Sequence, residues 1–127
     1  MDTIADMLTR IRNAGKARQK YVDIPLSSAK VKIAEIFKES GWVGNFLTSS
    51  ERRMMRIFLK YNKARKPIFT EIKRHSKPGL RSYVGYKEIP RICNGMGIAI
   101  VSTTQGMMDG KKAKEMKLGG ELICSIW

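Results

Sequence analysis

Two hydrophobic periods share this chain, and together they restrict it to a fold that mixes helices with sheets. Near the start, Ile4, Met7, Leu8 and Ile11 recur at i, i+3, i+4 and i+7, the one-sided stripe of a helix lying on a core, while Arg10 and Arg12 point elsewhere. Further along, Ile57, Leu59 and Tyr61 alternate with Arg56, Phe58 and Lys60, the period of a strand with one buried face. An all-helical bundle has no place for the second pattern, and an all-β sandwich has none for the first.

Local signals extend this reading to an α+β protein of two small, closely packed lobes. Asp2 or Thr3 can cap the first helix and Gly15 is expected to end it; Tyr21–Pro25 reads as a short strand. Ser27 or Ser28 then caps a second helix with Ile33, Ile36 and Phe37 on one face, Lys30, Lys32, Glu35, Lys38 and Glu39 on the exposed one, and Gly41 past its end. Strands follow at Trp42–Leu47, around Ile57–Tyr61 and at Ile68–Lys73, giving an N-terminal lobe αβαβββ over residues 1–74.

Residues 75–127 read as a C-terminal lobe of mostly antiparallel strands with short helices. Pro78-Gly79 fits the centre of a type II turn, and Tyr83, Val84 and Tyr86 follow as a strand. Pro90 opens a helical turn through Cys93. The apolar run Gly97–Val101 ends in Ser102, Thr103, Thr104, Gln105 and Gly106, Asp109 can cap a short basic helix through Lys117, and Gly119-Gly120 returns the chain to a last strand from Glu121 to Ile126. No long linker, repeat or low-complexity tract intervenes, so the lobes are expected to form one rigid body.

Charge narrows the function. The chain has 127 residues, with 25 Lys+Arg against 11 Asp+Glu and a formal net charge of +14, which calls for a polyanionic partner, nucleic acid or an anionic membrane. No apolar stretch approaches the roughly 18 residues of a spanning helix, the N-terminus lacks a signal-peptide pattern, and residues 3–15 look like a packed core helix instead of a membrane-surface one, so a soluble cytosolic protein is expected. The cations concentrate in the middle third. Lys73, Lys77 and Arg81 belong to that surface, with Lys73 a phosphate-contact candidate and Tyr83 and Tyr86, beside the Pro-Gly turn, candidates for stacking on bases.

Catalytic readings fail on spacing. Gly106–Lys112 is one residue short of a phosphate loop and has Lys112 in place of the magnesium-binding hydroxyl. Gly95-Met96-Gly97 precedes its strand and lacks the third glycine of a dinucleotide fingerprint. The sole histidine, His75, has no nucleophile elbow to serve, and the carboxylates are scattered. Cys93 and Cys124, each in an apolar setting, read as buried free thiols, with no spacing for a metal. Neither an enzyme nor a cofactor is expected.

The hydroxyl cluster Ser102, Thr103 and Thr104, with Gln105, is different. Short uncharged groups at a strand end, surrounded by cations, can read base edges, sugars and shape. Serine and threonine also cap turns through their own side chains, so a structural reading stands beside the binding one.

Several segments together resemble the small-subunit ribosomal protein eight family over nearly the whole length. Ile4–Ala14 is similar to the family's N-terminal helix, Pro78-Gly79-Leu80-Arg81 to its mid-chain turn, and Gly95–Gly106 and Leu118–Cys124 to its two C-terminal signatures. Lys77 stands where the family more often has arginine, and an arginine's planar fork is lost there. The resemblance implies a structural constituent of the small ribosomal subunit in the cytoplasm or an organelle. Its partners would be 16S rRNA, neighbouring small-subunit proteins and, as a repressed target, its own operon messenger. It further implies that the C-terminal lobe docks on an internal 16S stem and organises the central domain, with Ser102, Thr103 and Thr104 at the hydroxyl contacts and Gly119, Gly120 and Glu121 lining the same surface. The N-terminal lobe would add auxiliary RNA contacts. A less selective basic RNA or DNA binder is the alternative.

Overall fold

The computed structural model describes Asp2 to Trp127, which divide into two compact units, Thr3–Thr70 and Glu71–Trp127 with Asp2. The first unit is α+β. Helix α1 (Thr3–Lys16) buries Met7, Leu8, Ile11 and Ala14, as the stripe requires, and lies against strand β1 (Tyr21–Pro25). Gly15 does not end it. An added Cβ there would sit 2.9 Å from Phe69 Cζ and 3.1 Å from Pro67 Cγ, so this glycine admits a close neighbour inside the helix. The chain instead leaves the helix through Arg18, in the left-handed region at φ 57°.

Helix α2 (Ser28–Glu39) is capped by Ser27, whose Oγ accepts from the Lys30 amide, and it buries Ile33, Ala34 and Phe37. Lys30, expected on the exposed face, is buried too. Its Nζ donates to the Pro25 carbonyl at 2.9 Å, and burial is the main force pulling its pKa down. Trp42 and Val43 belong to the turn after α2, with the Trp42 amide donating to Phe37, so strand β2 starts later than expected, at Phe46–Ser49. Strand β3 (Met54–Phe58) lies between β1 and β2 in an antiparallel sheet and buries Met55 and Ile57.

The third strand expected in this lobe is shorter and lies elsewhere. Strand β4 (Ile72–Arg74) pairs with the last strand of the chain and so joins the second unit's sheet, because its partners are residues 124–126. That sheet also holds β5 (Tyr83–Val84), β6 (Ile98–Thr103), β7 (Gly106–Asp109) and β8 (Gly120–Ile126). Strand β8 pairs with β6 on one side and with both β4 and β5 on the other, all antiparallel. Its register slips between Ile100 and Val101, where Ile123 is the extra residue of a bulge. The Ile123 carbonyl accepts from the His75 amide and from Arg74 Nη1.

One core of this unit gathers Ile89, Ala99, Val101, Met108, Ala113 and Leu122, with Val84, Tyr86, Ile92 and Leu118 against it. Asp109 caps helix α3 (Gly110–Glu115) by accepting from the Lys112 amide at 2.8 Å, as its position suggested, although the helix stops before Lys117. The Pro78-Gly79 turn is not type II. Gly79 lies outside the left-handed region that type II requires at this position, and reciprocal backbone hydrogen bonds of 3.0 Å between Lys77 and Leu80 close the reversal without it. The helical turn after Pro90 runs over Ile92–Gly95 with Cys93 and Asn94 at positive φ, which leaves Cys93 exposed; only Cys124 is buried, and burial pushes its thiol up to about 12. No helix among the described residues is long and apolar enough to cross a membrane.

Ile57 is fully buried on the middle strand of the first sheet. Ile57→Ala should cost roughly 2–5 kcal/mol in urea unfolding monitored by circular dichroism.

Candidate nucleic-acid interface

The hydroxyl cluster is a hairpin end. Ser102 and Thr103 complete β6, Thr104 and Gln105 make the turn, and β7, which the sequence reading passed over, brings the chain back with Gly106 opposite Thr103. Its only local signal was the pair Met107-Met108 between Gly106 and Asp109, too short to separate from a loop. The hydroxyls are not equivalent. Thr103 Oγ1 donates to the Gly106 carbonyl at 2.8 Å and accepts from the Gln105 amide at 3.1 Å, so it holds the turn together. Thr104 and Gln105 are exposed at the tip and Ser102 is half-buried.

Three strands bring the remaining groups alongside. Glu121 on β8 pairs with Ser102 on β6 and with Tyr83 on β5, so Tyr83, Glu121 and Ser102 form one cross-strand row on one face of the sheet. Tyr83 is 70% exposed at its end. Gly119 and Gly120 thread between neighbouring backbones: an added Cβ on Gly120 would stand 2.0 Å from the Ser102 carbonyl oxygen, and one on Gly119 would stand 2.5 Å from that of Val84. Glycine is thus required here by proximity, and the surface beside the hydroxyls is main chain.

Glu121 is held within the protein. It accepts from Ser76 Oγ and from Arg81 Nη1 at 2.9 Å, while Ser76 Oγ also accepts from the Ser82 amide at 3.1 Å. The clamp ties the ends of the segment that contains Lys77 to β8. Burial raises the Glu121 pKa, but the hydrogen bonds from Ser76 and Arg81, with the charges of Arg81 and Arg74, outweigh it and hold the carboxyl below its ordinary value. Ser76, fully buried, was missed in the sequence because nothing in Arg74–Lys77 marks it out from its polar neighbours.

The other candidates lie apart from this row. Lys73 is exposed on β4 opposite Ser125, four residues along β8 from Glu121, or about 13 Å at strand rise. Lys77 is exposed at the base of the Pro-Gly turn. Tyr86 sits in a 3-10 turn, Tyr86–Glu88, half-buried against the core, with Lys87 Nζ 5.9 Å from its ring centre. His75 Nε2 lies 2.8 Å from Ser125 Oγ, and burial, reinforced by Lys73 and Arg74, lowers its pKa. Several cations of the middle third already have anionic partners: Arg56 pairs with Asp23 at 2.8 Å, and Arg74 with Asp2 at 3.1 Å.

These features define a small basic α+β protein that displays a polar, backbone-lined sheet end. The model of the ribosomal protein S8 family matches residues 2–127, and the chain belongs to that family. It is 50% identical to the small ribosomal subunit protein uS8 of Protochlamydia amoebophila, with 99% of this chain and 97% of that one aligned. The uS8 protein of Geobacter sulfurreducens is 48% identical at the same coverage. The small ribosomal subunit protein uS8c of Phaeodactylum tricornutum is 51% identical over 99% of this chain and 98% of that one. Each of these relatives is named as a protein of the small ribosomal subunit.

Two outcomes follow from the geometry. Gly120→Ala drives a methyl into main chain and should destabilise the protein by at least roughly 1–3 kcal/mol in urea unfolding. Because the folded Glu121 pKa is lowered, its stabilisation is complete above the ordinary value of 4.5 and is lost as the pH falls through the folded value. Glu121→Gln should cost roughly 1–3 kcal/mol at neutral pH and flatten the acid limb of the stability curve, read from urea midpoints between about pH 3 and pH 7.

Proposed function

We propose that this protein binds an internal stem of 16S rRNA directly through its C-terminal unit and helps organise the central domain of the small subunit during assembly. The observation that carries the reading is the hydroxyl hairpin end of β6 and the close approach of Gly120 to its Ser102 main chain. That packing fixes the strand-end surface at which Thr104 is exposed and Ser102 half-buried, where their hydroxyls can read the sugars and base edges of an RNA. Thr103 supports that surface by fixing the turn, and Glu121 supports it by holding the Lys77–Arg81 segment.

In this role Tyr83 offers an exposed ring for stacking, while Lys73 and Lys77 neutralise phosphates around the contact. Neighbouring small-subunit proteins are the further partners. An operon messenger that mimics the rRNA stem would occupy the same surface and be repressed by it. The N-terminal unit contributes auxiliary rRNA contacts.

Reading and attraction should separate at single residues. Thr104→Val should lower affinity for the cognate stem by roughly 1–3 kcal/mol and barely change binding to unrelated RNA. Lys73→Ala should weaken all RNAs alike and reduce the salt-dependence slope by about one. Titrations at several salt concentrations, with circular dichroism on both variants, decide it. If Thr104→Val is silent on both RNAs, or weakens both equally, a less selective basic binder is the better description.

A further inference from the structure

The N-terminal unit contains a cleft of ≈ 470 Å³ between the end of α1 and the loop after β3, a volume typical of ligand sites. Arg12, Lys16, Arg18 and Lys66 line it, and no carboxylate among the described residues does. Its other wall is apolar, formed by Pro67 and Ile68 over the buried ring of Phe69.

Both rims are fixed by backbone hydrogen bonds. On the helix side, the Arg18 amide donates to Gly15 and the Gln19 amide to Ala14, which leaves Arg18 in a left-handed conformation that glycine would adopt with less strain but without a cation. On the loop side, Asn62 Oδ1 accepts from the amides of Ala64 and Lys66 at 2.9 and 3.1 Å, and the Asn62 amide donates to the Lys66 carbonyl. The Tyr61 hydroxyl bridges the rims by donating its one proton to the Gln19 carbonyl, with the Ala14 carbonyl 3.4 Å away. Cations from the helix end and from Lys66 of the loop, beside the apolar surface of Pro67 and Ile68, suit a ligand with an anionic part and a flat apolar face.

We propose that this cleft seats one unstacked nucleotide of RNA, its phosphate toward Arg12, Lys16, Arg18 and Lys66 and its base on Pro67 and Ile68. The inference rests on the reading of the chain as an RNA binder and gives the N-terminal unit a specific share in it. A paired stem keeps its bases stacked inside the helix, so the cleft selects bulges, loops or single strands.

The test uses the full chain and two fluorescent probes, a single-stranded uridine hexamer and an abasic ribose-phosphate hexamer of equal charge. The wild type should prefer the uridine probe by about tenfold. Ile68→Ser, at a residue already 37% exposed and made in a Tyr83→Ala background so that the stacking ring of the other unit is absent, should abolish that preference and leave abasic binding unchanged. Arg18→Gly, which relieves the backbone, should weaken both probes and reduce the salt slope by about one. Neither change should alter affinity for the paired stem, whereas Thr104→Val should weaken the stem alone. Equal wild-type affinity for the two probes, a preference that survives Ile68→Ser, or equal competition by an oligoglutamate peptide of the same charge would overturn the proposal. Loss of stem binding with the hexamer preference intact would count against the 16S assignment only.

Discussion

The backbone pairing of β8 governs the second unit. One seven-residue strand pairs with β6 along one side and with both β4 and β5 along the other, so three strands drawn from residues 72–103 take ladder hydrogen bonds from it. Its first residue must be glycine because the Ser102 carbonyl occupies the space of a side chain. The same strand therefore supplies the scaffold and shapes the surface next to the hydroxyl hairpin.

Charge in this protein is more selective than its net value suggests. Arg56, Arg74 and Arg81 each face a carboxylate, and Lys30 is buried on a carbonyl. At the centre of the row beside the hydroxyl hairpin, Glu121 is balanced by Arg81. Discrimination by hydrogen bonding and shape operates best where the local field is weak, because a strong field attracts every phosphate equally.

What could be read from the sequence was what depends on near neighbours. The α1 stripe and the Ser27 and Asp109 caps involve groups within a turn or two of each other, whereas of the alternation Ile57, Leu59 and Tyr61 only Ile57 lies in β3, which starts earlier and ends at Phe58. What could not be read depends on distant pairing. Strand β4 meets a partner some fifty residues away, Glu121 is bound by residues 45 and 40 positions earlier, and Lys30 is buried by a fold that its helical position alone did not reveal. At the hairpin, the residue types marked the place, but only the return of β7 separates Thr103, which holds the turn, from Thr104, which is displayed.

The two cysteines differ in a way that reaches beyond packing. Cys93 is exposed on a loop of positive-φ residues, while Cys124 is sealed in the middle of β8 with its thiol pushed up to about 12. A thiol reagent added to the native protein therefore finds one reactive sulfur, and it reaches the second only when β8 opens. The chain carries its own labelling site and its own reporter on the strand that pairs with three others of its sheet, without a single engineered residue.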